Sequence, residues 1–413
     1  MLEDFISPAA AERLRSGVLG DHVEAFCGRL VEMAYRPATI RDKLSTIGLL
    51  ARRMAKRGNA VTDLDEGYIA AFVKARPVRC CTRRGLLRTG FMLLEHLRSA
   101  GVISMPKAAC DSSPLAALLA QYEDYLRKQR AVTEGTNSAY VEVARTFVGE
   151  RLGESGAGLE SLSAGDVRDF QLAGVRRVSP KRAQYMGSAL RSFLRFLFAR
   201  GEISTDLALA VATVRQRRHS SVPRHMSPKD VERLLRSCNR SSATGRRNHA
   251  ILLLLARLGL RASEVTALEL GDLRWREGEI IVRGKGLIRD RVPLLPDVGE
   301  ALALYLRTDR PQGASRYVFI CQQAPYRGLG APSTISTIVR RSLLRAGLAP
   351  ATHGAHLLRH SLATTMVRRG ASFAEIGQVL RHRSPSTTEI YAKLDFGALR
   401  DIAMPWPTRG GVR

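Results

Sequence analysis

The sequence predicts a mainly helical, multidomain protein with one small antiparallel β-sheet. Its 413 residues suffice for two or three domains, and 45% of them are hydrophobic, as in ordinary globular proteins. Apolar residues recur at helical spacing through most of the chain. The run GEIIVRGKGLIRDRVPL at 278–294 instead has two β-rich stretches around a Gly, Lys and Arg turn, which predicts a hairpin with Lys285 at its tip.

The chain divides into four predicted segments that differ in composition and period. Two helical units with basic polar faces are separated by a passage of Pro, Ala and Ser, and a basic run without apolar period then predicts a linker. The last segment begins where Ser227 and Pro228 favour the first turn of a helix. The segments are 1–105, 113–211, 212–226 and 227–413. In the second, we expect helices at 115–130, 136–152, 164–172 and 179–200, with Phe193, Phe196 and Phe198 of the last helix on the core side.

The first helical unit can be aligned with the second. Leu97, Gly101 and Ile103 fall on Leu197, Gly201 and Ile203, and earlier positions match at slightly smaller offsets, as changes in loop length would produce. Segment 1–105 is therefore interpreted as a duplicate of the second unit. Its expected apolar set is Leu44, Ile47, Leu50, Leu64, Ile69, Phe72, Leu94 and Leu97. The alternative is that any two amphipathic helical units align somewhere through their apolar period alone.

The charge of the chain is strongly unbalanced. Lys and Arg total 65 against 38 Asp and Glu, which gives a net charge of +27. Most of the excess is arginine, whose planar fork binds phosphates, so nucleic acid is the first partner to consider. Basicity alone also fits ribosomal, RNA-binding and membrane-surface proteins.

Compartment signals indicate the cytoplasm. The longest apolar run, 250–256, is far shorter than the roughly 20 residues that a membrane span requires. The start of the chain lacks the basic and apolar regions of a signal peptide. The six cysteines form no CxxC pair, which fits a reduced compartment.

Two groups of basic residues are predicted to contact DNA phosphates. One clusters around the helix at 179–200, and the other lies in the linker, which would run along the duplex between two domains that close around it. The alternative for the first group is a solvated helix face. The candidates are Arg176, Arg177, Lys181, Arg182, Arg191, Arg195, Arg215, Arg217, Arg218 and Arg224.

The stretch from His353 to Lys393 combines residue types that act on phosphodiesters. His356 and Arg359 lie one helical turn apart, with His360 beside them, so both can address one phosphate. Arginine clamps non-bridging oxygens, histidine moves protons, and a tyrosine such as Tyr391 can attack phosphorus. Taken singly, Tyr391 would be a core residue.

The same stretch predicts three helices. An apolar stripe through Leu357 and Met366 that stops near Gly370 predicts the first. The second should run from about residue 373 to 380, and the third, at 387–393, should carry Tyr391.

A zinc site at His353, His356 and His360 is the weaker alternative for this stretch. Histidines at i, i+4 spacing can share a metal. However, no acidic residue lies between them, and Arg359 would bring a fixed positive charge to the metal's edge.

Three segments, LLARLGLRASEVTAL, HLLRH and LRHRSPSTTEIYAK, resemble the conserved boxes of tyrosine recombinases, the phage-integrase and Xer-type site-specific DNA recombinases. The resemblance covers roughly 113–404. It implies a core-binding domain at 113–211 and a catalytic domain with a C-terminal tail at 227–413. One departure is Arg381, where many relatives have glycine before the histidine.

The resemblance also implies the catalytic residues and their roles. Tyr391 attacks the scissile phosphate, Arg261 and Arg359 neutralise its oxygens, and the nearby guanidiniums should favour tyrosinate. Lys285 protonates the leaving 5'-oxygen, His356 handles the tyrosine proton, and His382 donates to the phosphate. Glu264 looks like the buried acid that orients Arg261 or its helix, the alternative being a structural salt bridge, and His360 lies next to the catalytic set. The implied catalytic residues are Arg261, Lys285, His356, Arg359, His382 and Tyr391.

The expected partners follow from the same resemblance. They are duplex DNA with specific sites and a homotetramer, or a heterotetramer with related recombinases; no cofactor, metal or membrane is expected. The segment 395–406 either passes to a neighbouring protomer or folds back on its own domain. A nucleoid-associated mobile-element integrase or transposase is favoured. The alternatives are a type IB topoisomerase, which relaxes DNA as a monomer, and a non-catalytic DNA-binding regulator.

Overall fold

The computed structural model describes residues 1–76, 80–105, 113–153, 158–214, 223–284, 289–313 and 315–394. In these residues the chain is mainly helical and contains one three-stranded antiparallel sheet, which confirms the predicted fold class. The chain divides into two compact units, 104–218 and the remainder, 1–103 with 219–413. The two parts of that remainder have separate hydrophobic cores.

The N-terminal segment is a helical bundle. Its helices are α1 (Pro8–Arg15), α2 (Gly20–Glu32), α3 (Pro37–Lys56), α4 (Glu66–Lys74) and α5 (Cys80–Ser99). Asp65 caps α4, since its carboxylate accepts the main-chain N–H of Tyr68 at 2.6 Å. The expected apolar set is buried in one core: Leu44, Ile47, Leu50, Leu64, Ile69, Phe72, Leu94 and Leu97.

The unit at 104–218 is a second helical bundle. Its helices are α6 (Pro114–Lys128), α7 (Glu134–Leu152), α8 (Ala164–Arg177) and α9 (Pro180–Ala199). They match the predicted helices except that α8 runs five residues further than expected. Phe193 and Phe196 pack on Tyr122 in its core. The expectation that Phe198 also faces this core is wrong, because its position on α9 leaves it 45% exposed.

Helix positions repeat between the two bundles at the offsets predicted from sequence. Helix α5 begins at Cys80 and α9 at Pro180, and 3₁₀ turns occupy Val61–Asp63 and Leu159–Ser161. Gly101 and Gly201 follow α5 and α9 with φ of 73° and 74°. This left-handed conformation favours glycine at a helix end.

The second unit fixes the start of the linker by side-chain contacts. Gln171 and Ala212 exchange two hydrogen bonds, in which Gln171 Nε2 donates to the Ala212 carbonyl and the Ala212 N–H donates to Oε1. Arg191 Nη2 donates to the carbonyls of Val211 and Ala212. The chain is thus held as far as Ala212, and residues 215–222 of the linker lie outside the described residues.

The C-terminal segment begins as predicted, with Ser227 Oγ accepting the N–H of Asp230 at the start of its first helix. The strands β1 (Leu273–Arg274), β2 (Glu279–Arg283) and β3 (Arg289–Pro293) form the sheet in sequence order. The predicted hairpin is β2 paired with β3, with Ile281 opposite Arg291. The helices are α10 (Pro228–Arg236), α11 (Ala243–Arg257), α12 (Ala262–Ala267), α13 (Pro296–Thr308), α14 (Pro332–Arg345), α15 (Ala355–Arg368) and α16 (Phe373–Leu380).

Two cores hold the site in this segment. Helix α11 is buried from Ala250 to Ala256 in the larger core. A smaller core between α15 and α16 includes Val367, Ile376 and Tyr391. The expected helix around Tyr391 is instead a pair of 3₁₀ segments, Pro385–Thr387 and Glu389–Leu394.

Candidate active site

Four parts of the C-terminal segment bring the candidate residues together. Arg261 precedes α12, and Arg359 lies on α15 with both neighbouring histidines. His382 follows α16, and Tyr391 lies on the last 3₁₀ segment. Lys285, which the sequence predicts at the tip of a hairpin, lies outside the described residues.

Arg261 is held by Glu264, as expected. Its Nη1 donates to Oε1 of Glu264 at 2.6 Å, and its main-chain N–H donates to Oε2 at 2.8 Å. Burial by itself would raise the pKa of Glu264, but this N–H and the guanidiniums of Arg381 and Arg261 outweigh it and hold the pKa below its usual range. The Arg261 side chain is 35% exposed and therefore accessible to a ligand.

Arg359 is buried and is held by main-chain carbonyls. Its Nη1 donates to Gly259 O at 2.5 Å, and Nη2 donates to Leu380 O. Gly259 has φ of 59°, and a Cβ there would approach a Leu380 methyl to 2.7 Å, so glycine is required for this close packing. Burial, and then the charges of Arg261 and Arg381, lower the pKa of Arg359 to about 10, so it stays protonated at neutral pH.

Arg381 is a residue of the site whose contacts the sequence did not reveal. Its Nη2 donates to Oε2 of Glu264 at 2.9 Å, and its carbonyl accepts a 3.3 Å hydrogen bond from Arg261 Nη2. The sequence marked it only as an unusual residue before His382. Its non-glycine identity was the available signal.

Tyr391 is almost fully buried, and its hydroxyl contacts His360. The Tyr391 oxygen lies 2.7 Å from His360 Nδ1, and the side chain is 1% exposed. Burial, and then His356 and Arg359, lower the pKa of His360 to about 4, so its ring is neutral at pH 7. In the tautomer that carries its proton on Nε2, His360 Nδ1 accepts this hydrogen bond from the Tyr391 hydroxyl.

The Arg359 guanidinium favours tyrosinate, as expected, but burial outweighs it in this conformation. Burial raises the pKa of Tyr391 to about 12, and the opposing effect of Arg359 is smaller. Removing a phenolate from water disfavours the charged form more than one neighbouring cation favours it. The Tyr391 side chain is thus held as neutral phenol.

His382 is oriented by Thr388, a second residue that sequence reasoning missed. Its Nδ1 lies 2.8 Å from the Thr388 hydroxyl, and Thr388 O accepts the main-chain N–H of Tyr391. Burial, and then Arg359 and Arg261, lower the pKa of His382 to about 4, so one ring nitrogen carries the proton at pH 7. With the Thr388 hydroxyl donating to Nδ1, Nε2–H is the group that can donate to a ligand.

His356 is exposed on the surface of α15, and its ring centroid lies 6.4 Å from that of His360. The hydroxyl of Tyr391 thus bonds to the second histidine of HLLRH. The described residues contain no cluster of three His, Cys, Asp or Glu side chains suited to a metal. None of the described helices is long and apolar enough to cross a bilayer.

The predicted DNA-contacting residues differ in their surroundings. Arg191 is half-buried on linker carbonyls, as described above, and Arg224 is exposed with Nη1 donating to Ala351 O. Arg182 lies over the ring of Tyr185, 5.6 Å from its centroid. The exposed residues of the α8–α9 group are Arg176, Arg177, Lys181, Arg182 and Arg195. Arg215, Arg217 and Arg218 lie outside the described residues.

The lowered pKa of His360 makes the stability of the C-terminal segment depend on pH. An unfolded imidazole has a pKa near 6.5, so between about pH 6.5 and 4 the unfolded chain binds protons more strongly than folded His360 does. Stability should therefore fall as the pH is lowered from 7 to 5. His360→Asn, whose Oδ1 can replace Nδ1 as acceptor, should reduce this fall in melting temperature.

The exposed His353 provides the control, since His353→Asn should leave the wild-type pH dependence unchanged. His382 will retain part of the effect in both variants. If His360→Asn melts with the same loss between pH 7 and 5 as wild type, the burial argument for His360 is wrong.

Comparisons with known proteins agree with this fold. Residues 224–397 match the phage integrase family, and residues 119–201 match the phage integrase N-terminal SAM-like domain. A relative named as an integrase/recombinase, y4rA of Sinorhizobium fredii, is 40% identical over 400 residues, covering 96% of this chain and 97% of the relative. Tyrosine recombinase XerC of Lactobacillus delbrueckii subsp. bulgaricus is 30% identical and covers 66% of this chain and 92% of its own.

Solved structures share the fold. XerH recombinase in a post-cleavage complex with palindromic difH matches with a TM-score of 0.53 and 16% identity, over 93% of each chain. A lambda integrase tetramer bound to a Holliday junction matches with a TM-score of 0.52 and 16% identity, over 77% of this chain and 89% of that one. The chain belongs to the phage integrase family of tyrosine recombinases and is a site-specific DNA recombinase.

Proposed function

We propose that the chain cuts one DNA strand at a specific site, holds its 3' end as a phosphotyrosyl ester on Tyr391 and rejoins it to a partner duplex. The observation that carries the proposal is the contact pattern around α16. Arg359 and Arg261 both bond to carbonyls at its end, next to His382, and His360 on α15 bonds to Tyr391. These contacts support a site in which two cations, a hydrogen-bond donor and a nucleophile act together on one phosphate.

The chemistry is a transesterification at phosphorus. The Tyr391 oxygen forms a bond to phosphorus as the bond to the 5'-oxygen breaks, and the tyrosine proton passes to a base while the 5'-oxygen gains a proton. Arg261 and Arg359 stabilise the charge on the non-bridging oxygens, and His382 donates to one of them. One phosphodiester replaces another with its bond energy conserved, so no nucleotide or other cofactor is expected.

The histidines on α15 have separate roles in this proposal. His356 acts as general base or acid for the tyrosine proton near the phosphate. His360 holds Tyr391 while the hydroxyl is buried and neutral. For attack, the hydroxyl exchanges His360 for the phosphate site, where the guanidiniums of Arg261 and Arg359 favour the developing phenolate.

Lys285 is proposed as the acid for the leaving 5'-oxygen. Lys285→Ala should slow cleavage of an ordinary phosphodiester but cleave a substrate with 5'-bridging sulfur at close to the wild-type rate. The reason is that a thiolate leaves without a proton, whereas the 5'-oxygen must be protonated as it leaves. Single-turnover cleavage of both substrates measures this. Equal impairment on the two would remove Lys285 from the acid role.

A mobile-element integrase or transposase is the proposed setting. The XerC match leaves about a third of this chain without a counterpart, while y4rA aligns over almost the full length. We expect action on nucleoid DNA in the cytoplasm. Exchange of strands between two duplexes requires four cleavages, so a tetramer of this chain, or of this chain with related recombinases, is the proposed assembly.

Segment 1–105 is proposed as an accessory DNA-binding or assembly domain that duplicates the core-binding unit at 113–211. The repeated helix positions and the separate core support this. Its deletion should leave Tyr391 chemistry on a short site intact while shortening the DNase footprint or weakening assembly on native gels. Unchanged footprint and assembly would contradict the accessory role, and a truncated protein that cannot fold would assign the segment to the core.

Recombination assays test the proposed function as a whole. The protein is incubated with two supercoiled plasmids that carry the DNA flanking its gene, and recombinant junctions are sequenced. Junctions at one fixed position are expected, together with a covalent protein–DNA complex. Relaxation of any plasmid without junctions would favour a topoisomerase, and binding without cleavage would favour a regulator.

A further inference from the structure

Arg381 occupies a backbone position that favours glycine. It ends α16 in the left-handed region, with φ of 55° and ψ of 48°. A residue with a Cβ is strained there, and glycine is not. The Arg381 side chain is nevertheless only 6% exposed, so it is not retained for contact with solvent.

The contacts of Arg381 divide one carboxylate between two arginines. Arg381 Nη2 bonds to Oε2 of Glu264 at 2.9 Å, whereas Arg261 Nη1 bonds to Oε1 at 2.6 Å. Oε2 also accepts the main-chain N–H of Arg261. Arg381 Nη1 donates to Val379 O at 3.0 Å, which fixes its own position. Arg261 is therefore limited to one side-chain bond with Glu264.

Without Arg381, Oε2 would be open to the Arg261 guanidinium, which favours a two-bond fork with a carboxylate. Such a fork would direct two N–H groups of the Arg261 guanidinium toward Glu264, and the carboxylate would then neutralise the charge of Arg261. Arg381 also adds a positive charge. Arg261, Arg359 and Arg381 together with Glu264 carry a net charge of two, which complements the doubly negative phosphorus centre of the transition state.

We propose that Arg381 is a positioning residue for the scissile phosphate, which shares Glu264 with Arg261 and so keeps the Arg261 guanidinium directed toward the phosphate. The proposal rests on the proposed function, since it assigns Arg381 to the same site. Arg381 acts through Glu264 and through its own carbonyl, and it does not touch the DNA.

Arg381→Gly and Arg381→Lys test this in the full chain. Glycine fits the left-handed backbone, so the variant should fold, and melting followed by circular dichroism checks that. At saturating concentrations of a nicked site, cleavage by Arg381→Gly should slow by about 10- to 100-fold, the scale for losing a residue that orients a reactive group. The Kd for the site should change by less than about twofold, because the side chain is buried. Arg381→Lys keeps the charge beside Glu264 and should recover part of the rate.

The exposed Arg369, at the end of α15, provides the matched control, and Arg369→Gly should cleave at the wild-type rate. An Arg381→Gly rate within about twofold of wild type overturns the inference, as do equal losses in the glycine and lysine variants. Failure of the wild-type protein to cleave any flanking site would instead overturn the proposed function. The two failures are thus distinguishable.

Discussion

Tyr391→Phe should abolish the covalent protein–DNA complex while leaving DNA binding unchanged. Only the phenolic oxygen is removed, and the ring remains in the small core with Val367 and Ile376. Without this oxygen the proposed nucleophile is missing, so cleavage should fall below detection. A suicide-substrate gel measures covalent capture, and a mobility-shift assay measures binding.

Tyr305→Phe is the matched control for the loss of one phenolic oxygen. Tyr305 is also fully buried in the C-terminal segment, and its hydroxyl contacts only the N–H of Ile320, at 3.5 Å, among the described hydrogen bonds. It should cleave normally. A covalent complex that survives in Tyr391→Phe would assign the nucleophile to another residue.

Arg359→Ala should slow cleavage by at least about 10²-fold, the scale for removing one group that stabilises a transition-state charge. Arg359 is held in a fixed orientation by Gly259 O and Leu380 O, so its guanidinium needs little rearrangement as charge develops. Arg359→Lys should also be slow, because an ammonium cannot span both carbonyls as the planar fork does. Single-turnover cleavage at saturating protein measures both.

Arg247→Ala separates catalysis from stability. Arg247 is another buried arginine, 8% exposed, and donates to Ile320 O away from the candidate site. It should lower the melting temperature without a comparable loss of cleavage at a temperature where the protein is folded. If Arg359→Ala cleaves at more than about a tenth of the wild-type rate, Arg359 does not bear the main charge of the transition state.

The sequence predicted the parts of the fold that depend on local pattern. The apolar stripe through Leu357 and Met366 and the stop near Gly370 predicted α15, and α16 has the bounds that were expected. Ser227 and Pro228 marked the start of α10 because an N-cap and a proline act within one turn. The hairpin of β2 and β3 was predicted from an equally local pattern.

Features that depend on packing across the chain could not be predicted. The nearby guanidiniums were expected to favour tyrosinate at Tyr391. Burial of the side chain outweighs them, and that burial depends on how α15 and α16 enclose it. The ion pair between Glu264 and Arg381 joins residues 117 positions apart. Phe198 was expected to face the core because it is one of three phenylalanines near the end of its helix, yet the packing around α9 leaves it exposed.

The most direct test of the account is identification of the bond between protein and DNA. A nicked flanking site is cleaved under single-turnover conditions, the complex is digested with trypsin, and the nucleotide-linked peptide is sequenced by mass spectrometry. A 3'-phosphate joined to the oxygen of Tyr391 is expected, with a free 5'-hydroxyl on the other product. Attachment to any other residue, or to a 5'-phosphate, would contradict this assignment.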